Sequence, residues 1–236
     1  MKRFSIALLG ALALISTSCE KIKGEGPVVT ETRNIANYSG IDLRISGRVT
    51  FTNDSVYKVE VRAQKNILDK IETFLSDDKL VIKFKNNLNL RSHEPIEVQV
   101  SGPTLNAIRV SGSGNVETTN ALTATSLDLD VSGSGDILLA SITANDADAK
   151  ISGSGNIKIN GGTIKEEKLR VSGSGTIDLL NVTAEKANTT TSGSGNIRLH
   201  VTKELNTTIS GSGSVYYKGD PDIDSRISGS GKVIQL

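Results

Sequence analysis

Two histidines, His93 and His200, and a single cysteine, Cys19, are the side chains of this 236-residue chain best suited to bind a metal or act as a nucleophile. The histidines lie far apart in sequence and neither has a companion cysteine cluster, so no zinc-ligand spacing is present. His200 reads as a surface residue on the side of a strand. Asp128, Asp130 and Asp136 come nearest to the clustered carboxylates that polysaccharide lyases and hydrolases need. Isolated surface carboxylates are far commoner than catalytic ones, and the chain is read as non-enzymatic. Tyr216 and Tyr217 are adjacent, so on a strand they point to opposite faces and leave one ring for a ligand. The tetrapeptide SGSG invites a phosphate-cradling reading, but a P-loop requires Lys-Ser/Thr and a helix after its glycines. A β-roll calcium site requires G-G-x-G-x-D repeats, and only at Asp136 does a carboxylate directly follow an SGSG. No cofactor and no metal are expected.

The same tetrapeptide is informative as architecture. It begins at Ser111, Ser132, Ser152, Ser172, Ser192, Ser210 and Ser228, at spacings of 21, 20, 20, 20, 18 and 18 residues. A flexible linker has no reason to recur at a fixed period. The residue before each copy is β-branched: Val110, Val131, Ile151, Val171, Thr191, Ile209 and Ile227. Two places after each copy come Val116, Ile137, Ile157, Ile177, Ile197, Val215 and Val233, also β-branched. The position between is polar, and its Asn115, Asn156 and Asn196 are expected to stack as a partial ladder. Alternation such as Ile157-Lys158-Ile159 marks strands with one buried face.

A third landmark follows about ten residues past the turn, in Leu122-Thr123-Ala124, Ile142-Thr143-Ala144 and Val182-Thr183-Ala184. Twenty residues at ~3.3 Å each make a circuit of roughly 66 Å, one turn of a flattened or triangular coil. Coils stack about 4.8 Å apart, so seven corners form a column of ~29 Å. The fold expected is therefore all-β, a parallel β-helix or solenoid of ~20-residue coils with SGSG corners. An antiparallel meander needs only two apolar segments per unit and leaves the third unexplained. At each corner Gly112, Gly133, Gly153, Gly173, Gly193, Gly211 or Gly229 supplies positive φ, and the serines are small enough to stack and to bond freed backbone groups. The low aromatic content, 3% with no Trp, suits a thin core of Ile, Val, Leu and Ala.

Before the repeats, residues 28–107 are strand-like but irregular, as in "SGIDLRISGRVTF", "KLVIKFK" and "IEVQV", and are expected to form wider first coils that cap the regular stack of 108–236. Residues 66–75 fit two patterns: a short helix with Ile67, Leu68, Ile71, Phe74 and Leu75 on one face, or a strand alternating Ile71, Thr73 and Leu75. Residues 1–18 have a basic start and an apolar run from Ile6 to Ile15, too short to span a bilayer and suited to a signal peptide. Cys19 follows Ser16-Thr17-Ser18 at the cleavage point and is expected to become a lipidated N-terminus, although Ser16 replaces the Leu usual in a lipobox. Residues 19–27 then read as a polar tether. The chain's formal charge is +1; without Lys2 and Arg3, 25 basic residues face 26 acidic ones. That balance gives no electrostatic footprint for nucleic acid or an anionic membrane. Asp54-Ser55-Val56 resembles a bacterial O-glycosylation site on three residues.

The repeated "SGSGNI", the opening "YSGIDLRISG" and the ending "YYKGDPDIDSRISGSGKV" together resemble the GIN-domain family of auto-transporter adhesin head proteins, exported by Gram-negative bacteria. The resemblance covers about Tyr38 to Leu236. It implies a β-helix of the pectin-lyase-like shape without the catalytic residues, and a role in adhesion by analogy of fold. The motif residues matched are turn residues, so no functional side chain carries over. The expectation is an exported, non-enzymatic cell-envelope lipoprotein, held by an outer-membrane lipid anchor on the periplasmic or cell-surface side. It would act as an adhesin or interaction scaffold toward an unknown protein or glycan ligand, with oligomerisation left open. The alternative is a carbohydrate-binding or polysaccharide-processing protein of the same shape.

Overall fold

The computed structural model describes residues 20–85 and 88–236, and the leader with Cys19 lies outside them. Twenty-one strands and one short helix are present among the described residues, and the regular part is a stack of parallel coils. One coil shows the plan. After the corner at Ser132–Gly135, Asp136–Leu139 forms one side, and Ser141–Gly153 forms the next two sides and enters the following corner. Ala121–Gly133 pairs in parallel with Ser141–Gly153, Leu122 on Ile142 and Val131 on Ile151, but the ladder skips Thr125 and Asn145, where the strand bends. The coil is therefore three-sided, as the three apolar landmarks per repeat require.

Strand alternation sends every second side chain into the interior. Leu127, Leu129 and Val131 fill the long side, Ile137 and Leu139 the second, and Ile142 and Ala144 the third, all buried. Lys158, between buried Ile157 and Ile159, faces solvent. The coil shortens from 20 to 18 residues away from the SGSG corner. Leu179 pairs with Leu199, but Thr183 pairs with His200 and Lys186 with Glu204, so three residues are lost at the bend before the third side and one is regained at the bend after it.

The corners are built from backbone. Gly153 has φ +136° and Gly133 φ +131°, in the region that favours glycine. The carbonyl of Gly133 accepts from the N–H groups of Ser154 and Gly155 at 2.9 and 3.1 Å, and that of Gly153 accepts from Ser174 and Gly175 in turn. The same pattern joins Gly112 to Ser134 and Gly135, Gly173 to Ser194 and Gly195, Gly193 to Ser212 and Gly213, and Gly211 to Ser230 and Gly231. The groups freed by the bend thus meet backbone partners in the neighbouring coil, where sequence reasoning gave that task to the serine hydroxyls.

The polar ladder beside the corner also differs from expectation. Asn115, Asn156 and Asn196 sit two coils apart, separated by Asp136 and Thr176, so they do not stack directly. The ladder that forms is mixed. Asn115 Oδ1 accepts from the Asp136 N–H at 3.1 Å, and Asp136 Oδ1 accepts from both the backbone and side-chain nitrogens of Asn156.

The N-terminal half is not a simple run of wider coils. Gly40–Leu43 and Arg48–Asn53 lie directly against the first regular coil, Ile41 on Ile108 and Val49 on Val116. Lys79–Phe84 and Glu97–Gly102 then pair in parallel with the far edges of those two strands. The chain therefore lays down the second level before the outermost one. Beyond that level the strands turn antiparallel, with Lys58–Gln64 on Glu97–Gly102, Val28–Thr32 on Lys58–Gln64, and Ile71–Ser76 on Lys79–Phe84. These close the end of the column that would otherwise present parallel edges. The ambiguous stretch takes both forms in succession, a one-turn helix at Lys65–Leu68 with Ile67 and Leu68 buried, then the strand Ile71–Ser76. Residues 20–26, read above as a tether, are docked. Glu20–Ile22 pairs with Leu88–Leu90, the Gly24 N–H donates to the Ser92 carbonyl, and the Glu25 N–H to Asn66 Oδ1.

Tyr38 fastens this cap. It is fully buried, edge-on to Tyr57 at 4.9 Å, and its hydroxyl donates to the Ser101 carbonyl at 2.5 Å with the Lys58 carbonyl at 3.1 Å. Burial pushes the phenol up to about 12. Tyr38→Phe is expected to cost about 1–2 kcal/mol, since it removes the donor from two part-buried hydrogen bonds. Chemical denaturation should show the loss, and hydrogen exchange should place it in Lys58–Gln64 and Glu97–Gly102.

Candidate functional site

The third side of the solenoid carries a regular outward row. Thr123, Thr143 and Thr163 are exposed and Thr183 is partly exposed, each flanked by inward residues such as Ile142 and Ala144. Strand register stacks them one above another, Thr123 on Thr143, Thr143 on Thr163, and Thr163 on Thr183. Three steps of about 4.8 Å give a file of hydroxyls roughly 14 Å long. The fifth place is taken by His200, whose Nδ1 lies 3.4 Å from Thr183 Oγ1.

At the bend a second row runs parallel to the first: Thr125, Asn145, Lys165, Glu185 and Lys203. The two rows enclose an open groove of about 760 Å³. Glu185 and Lys203 pair at 2.6 Å, and this hydrogen bond, with Lys165 and Lys186 nearby, holds the Glu185 carboxyl below its usual range. No aromatic side chain lines the groove. Its chemistry is periodic hydrogen bonding and alternating charge, suited to an extended polar ligand lying along the column. The sequence landmarks Leu-Thr-Ala, Ile-Thr-Ala and Val-Thr-Ala contained this row. Their apolar members were the ones noticed, and the middle threonine was the missed signal.

The residues singled out for chemistry are scattered. Asp128 and Asp130 lie on Ala121–Gly133, where Asp130 pairs with Arg109 at 3.5 Å. Burial and then the charges of Asp148 and Asp130 raise the Asp128 carboxyl above its usual range. Asp136 lies beyond the corner, committed to Asn156. Tyr217 is buried in the core and Tyr216 is partly exposed on the opposite face. His93 Nδ1 lies 2.6 Å from the Glu94 carbonyl on the cap. Among the described residues no group of three or more His, Cys, Asp or Glu could hold a metal ion. Ser55 sits on an exposed turn, its hydroxyl donating to Asp54 at 3.3 Å. The SGSG corners form one continuous edge, distant in the circuit from the threonine groove.

A second hollow, about 730 Å³, opens on the cap between Arg33, Phe74 and Lys85. Arg33 pairs with Glu31 at 2.8 Å, and Phe74 carries the Lys83 ammonium 5.4 Å from its ring centre.

Residues 37–221 match the family model described as "Putative auto-transporter adhesin, head GIN domain". No curated protein sequence matches the chain. Among solved structures, a "putative adhesin" from Bacteroides fragilis is 25% identical, with a TM-score of 0.85 over 91% of this chain and 100% of the other. A "putative lipid binding protein" from Parabacteroides distasonis is 26% identical, with a TM-score of 0.79 over 92% of this chain and 100% of the other. A further "putative adhesin" from Parabacteroides distasonis, 24% identical over 92% of this chain and all of the other, shares the fold with a TM-score of 0.73.

Proposed function

Because the chain belongs to the family of auto-transporter adhesin head GIN domains, we propose that it is a non-enzymatic, lipid-anchored envelope protein whose rigid solenoid displays the threonine groove to a partner. The observation that carries this reading is the registered file of Thr123, Thr143, Thr163 and Thr183 beside a charged second row. A rigid array is organised before binding, so little ordering entropy opposes recognition of an extended protein segment or glycan. Lipidation at Cys19 provides the anchor, placing the protein in the outer membrane.

Attachment of intact cells tests the groove. Thr143→Arg combined with Thr163→Arg is expected to reduce attachment to the level of a deletion strain, while thermal melting stays unchanged. Attachment equal to wild type would overturn the groove as the contact surface. Protease treatment of intact cells tests display, and complete protection would exclude a surface adhesin. Cys19→Ser is expected to abolish labelling by radioactive palmitate. A glycan array and an assay on pectin-like polymers separate binding from catalysis, since turnover would overturn the non-enzymatic reading.

A further inference from the structure

The two ends of the solenoid are finished differently. At the N-terminal end, antiparallel strands close the column. At the other end the last long-side strand, Asp222–Gly229, pairs only with Asn196–Gly211, and every one of its residues is exposed. Ile223 stacks on Leu205 and Ile227 on Ile209, so both occupy inward positions, yet they are 43% and 46% exposed. Among the described residues nothing covers this edge.

Its sequence is self-complementary. In Ile223-Asp224-Ser225-Arg226-Ile227, reversal about Ser225 exchanges the two isoleucines and sets the acid opposite the base. We propose that this edge is the docking surface for a second copy of the chain, joined end to end by antiparallel pairing of Asp222–Gly229 on a two-fold axis at Ser225. In that register Ile223 of each copy faces Ile227 of the other on the inner side, extending the core across the junction. Asp224 of each faces Arg226 of the other on the outer side, giving two cross-strand ion pairs. Within one chain Arg226 and Asp224 are 3.7 Å apart, with side chains 82% and 65% exposed, so both are placed to reach across the edge. The interface is isologous, as a closed dimer requires.

Edge strands that guard against pairing carry charges at inward positions, prolines or bulges. Here the inward positions are Ile223, Ser225 and Ile227, and the charges keep to the outer face in mirror-opposed order. That arrangement selects a partner strand running in the opposite direction, and the chain's own copy supplies the matching one.

Sedimentation equilibrium of the full chain in density-matched detergent is expected to give twice the monomer mass at tens of micromolar. Arg226→Asp sets Asp against Asp at both pairs, and Asp224→Arg sets Arg against Arg. Each is expected to weaken the dimer about tenfold or more. The double variant D224R/R226D restores the palindrome and the dimer, and mixing the two single variants yields a heterodimer. Exposed charges of this kind leave the fold unchanged, which circular dichroism and melting verify. A monomeric wild type overturns the proposal. So does a dimer that survives both single substitutions, or one that neither the double variant nor the mixture restores.

Discussion

Glu167→Met is expected to stabilise the protein by about 3–5 kcal/mol more at pH 8.5 than at pH 4, the span set by a pKa shift at ~1.4 kcal/mol per unit. Glu167 is 2% exposed, and both its carboxylate oxygens are buried without a hydrogen-bond partner. In the stack it lies between Ala147 and Ala187, with Leu127 and Leu205 one coil further on either side. The two alanines leave the room its long side chain occupies. Burial alone pushes the carboxyl up, from its ordinary 4.5 to about 8. The folded protein therefore holds a proton there that the unfolded chain releases above pH 4.5. Between pH 4.5 and about 8 the unfolded state binds fewer protons, so stability falls as pH rises, then levels off above the folded pKa. Methionine keeps the unbranched shape and removes the titration. A smaller gain persists at low pH, because even the protonated acid is an unsatisfied buried group worth about 1–3 kcal/mol. Urea titrations of both proteins across this range decide the matter. A wild-type-minus-variant difference that is flat with pH would sink the argument.

Gly155→Ala should destabilise by about 3–5 kcal/mol, enough to lower Tm by roughly 10 °C in a chain of this size. A Cβ at Gly155 would lie 2.0 Å from the Gly135 carbonyl oxygen and 2.7 Å from Val131 Cγ1. The obstacle is backbone of the coil next door, which cannot swing aside. Relief requires lifting one corner off another, at the cost of the bonds from Ser154 and Gly155 to the Gly133 carbonyl. Gly161→Ala provides the comparison. A Cβ there meets nothing nearer than Ser141 Oγ at 3.9 Å, so the change should be neutral or stabilise by a few tenths of a kcal/mol. Equal melting temperatures for the two variants would show that the corners yield more readily than close-packed backbone allows.

These two residues differ in how far the sequence discloses them. The glycine corner was visible, because a tetrapeptide recurring every 18–21 residues can only be periodic architecture. Glu167 was hidden within Lys165-Glu166-Glu167-Lys168, which reads as a solvated charged run. Its parity with buried Leu169 and Val171 was the available signal. Composition masked it, since a carboxyl is rarely found inside. The threonine groove was half visible. The triplets mark a third side, but only pairing in register turns four separated threonines into one file.

By itself the sequence determined the repeat, the three-sided coil and the parity of its strands, because these follow from spacing and alternation within a single coil. Only the tertiary structure decided the order of the N-terminal levels, where Gly40–Leu43 lies between Ala107–Gly112 and Lys79–Phe84. Irregular strands carry no period, and their partners are chosen by long-range packing. It also decided that residues 20–26 dock on the cap, and that Ile223 and Ile227 stay uncovered. Local pattern fixes which way a side chain points. What lies above it depends on the stacking of coils, and at the last coil that stacking stops.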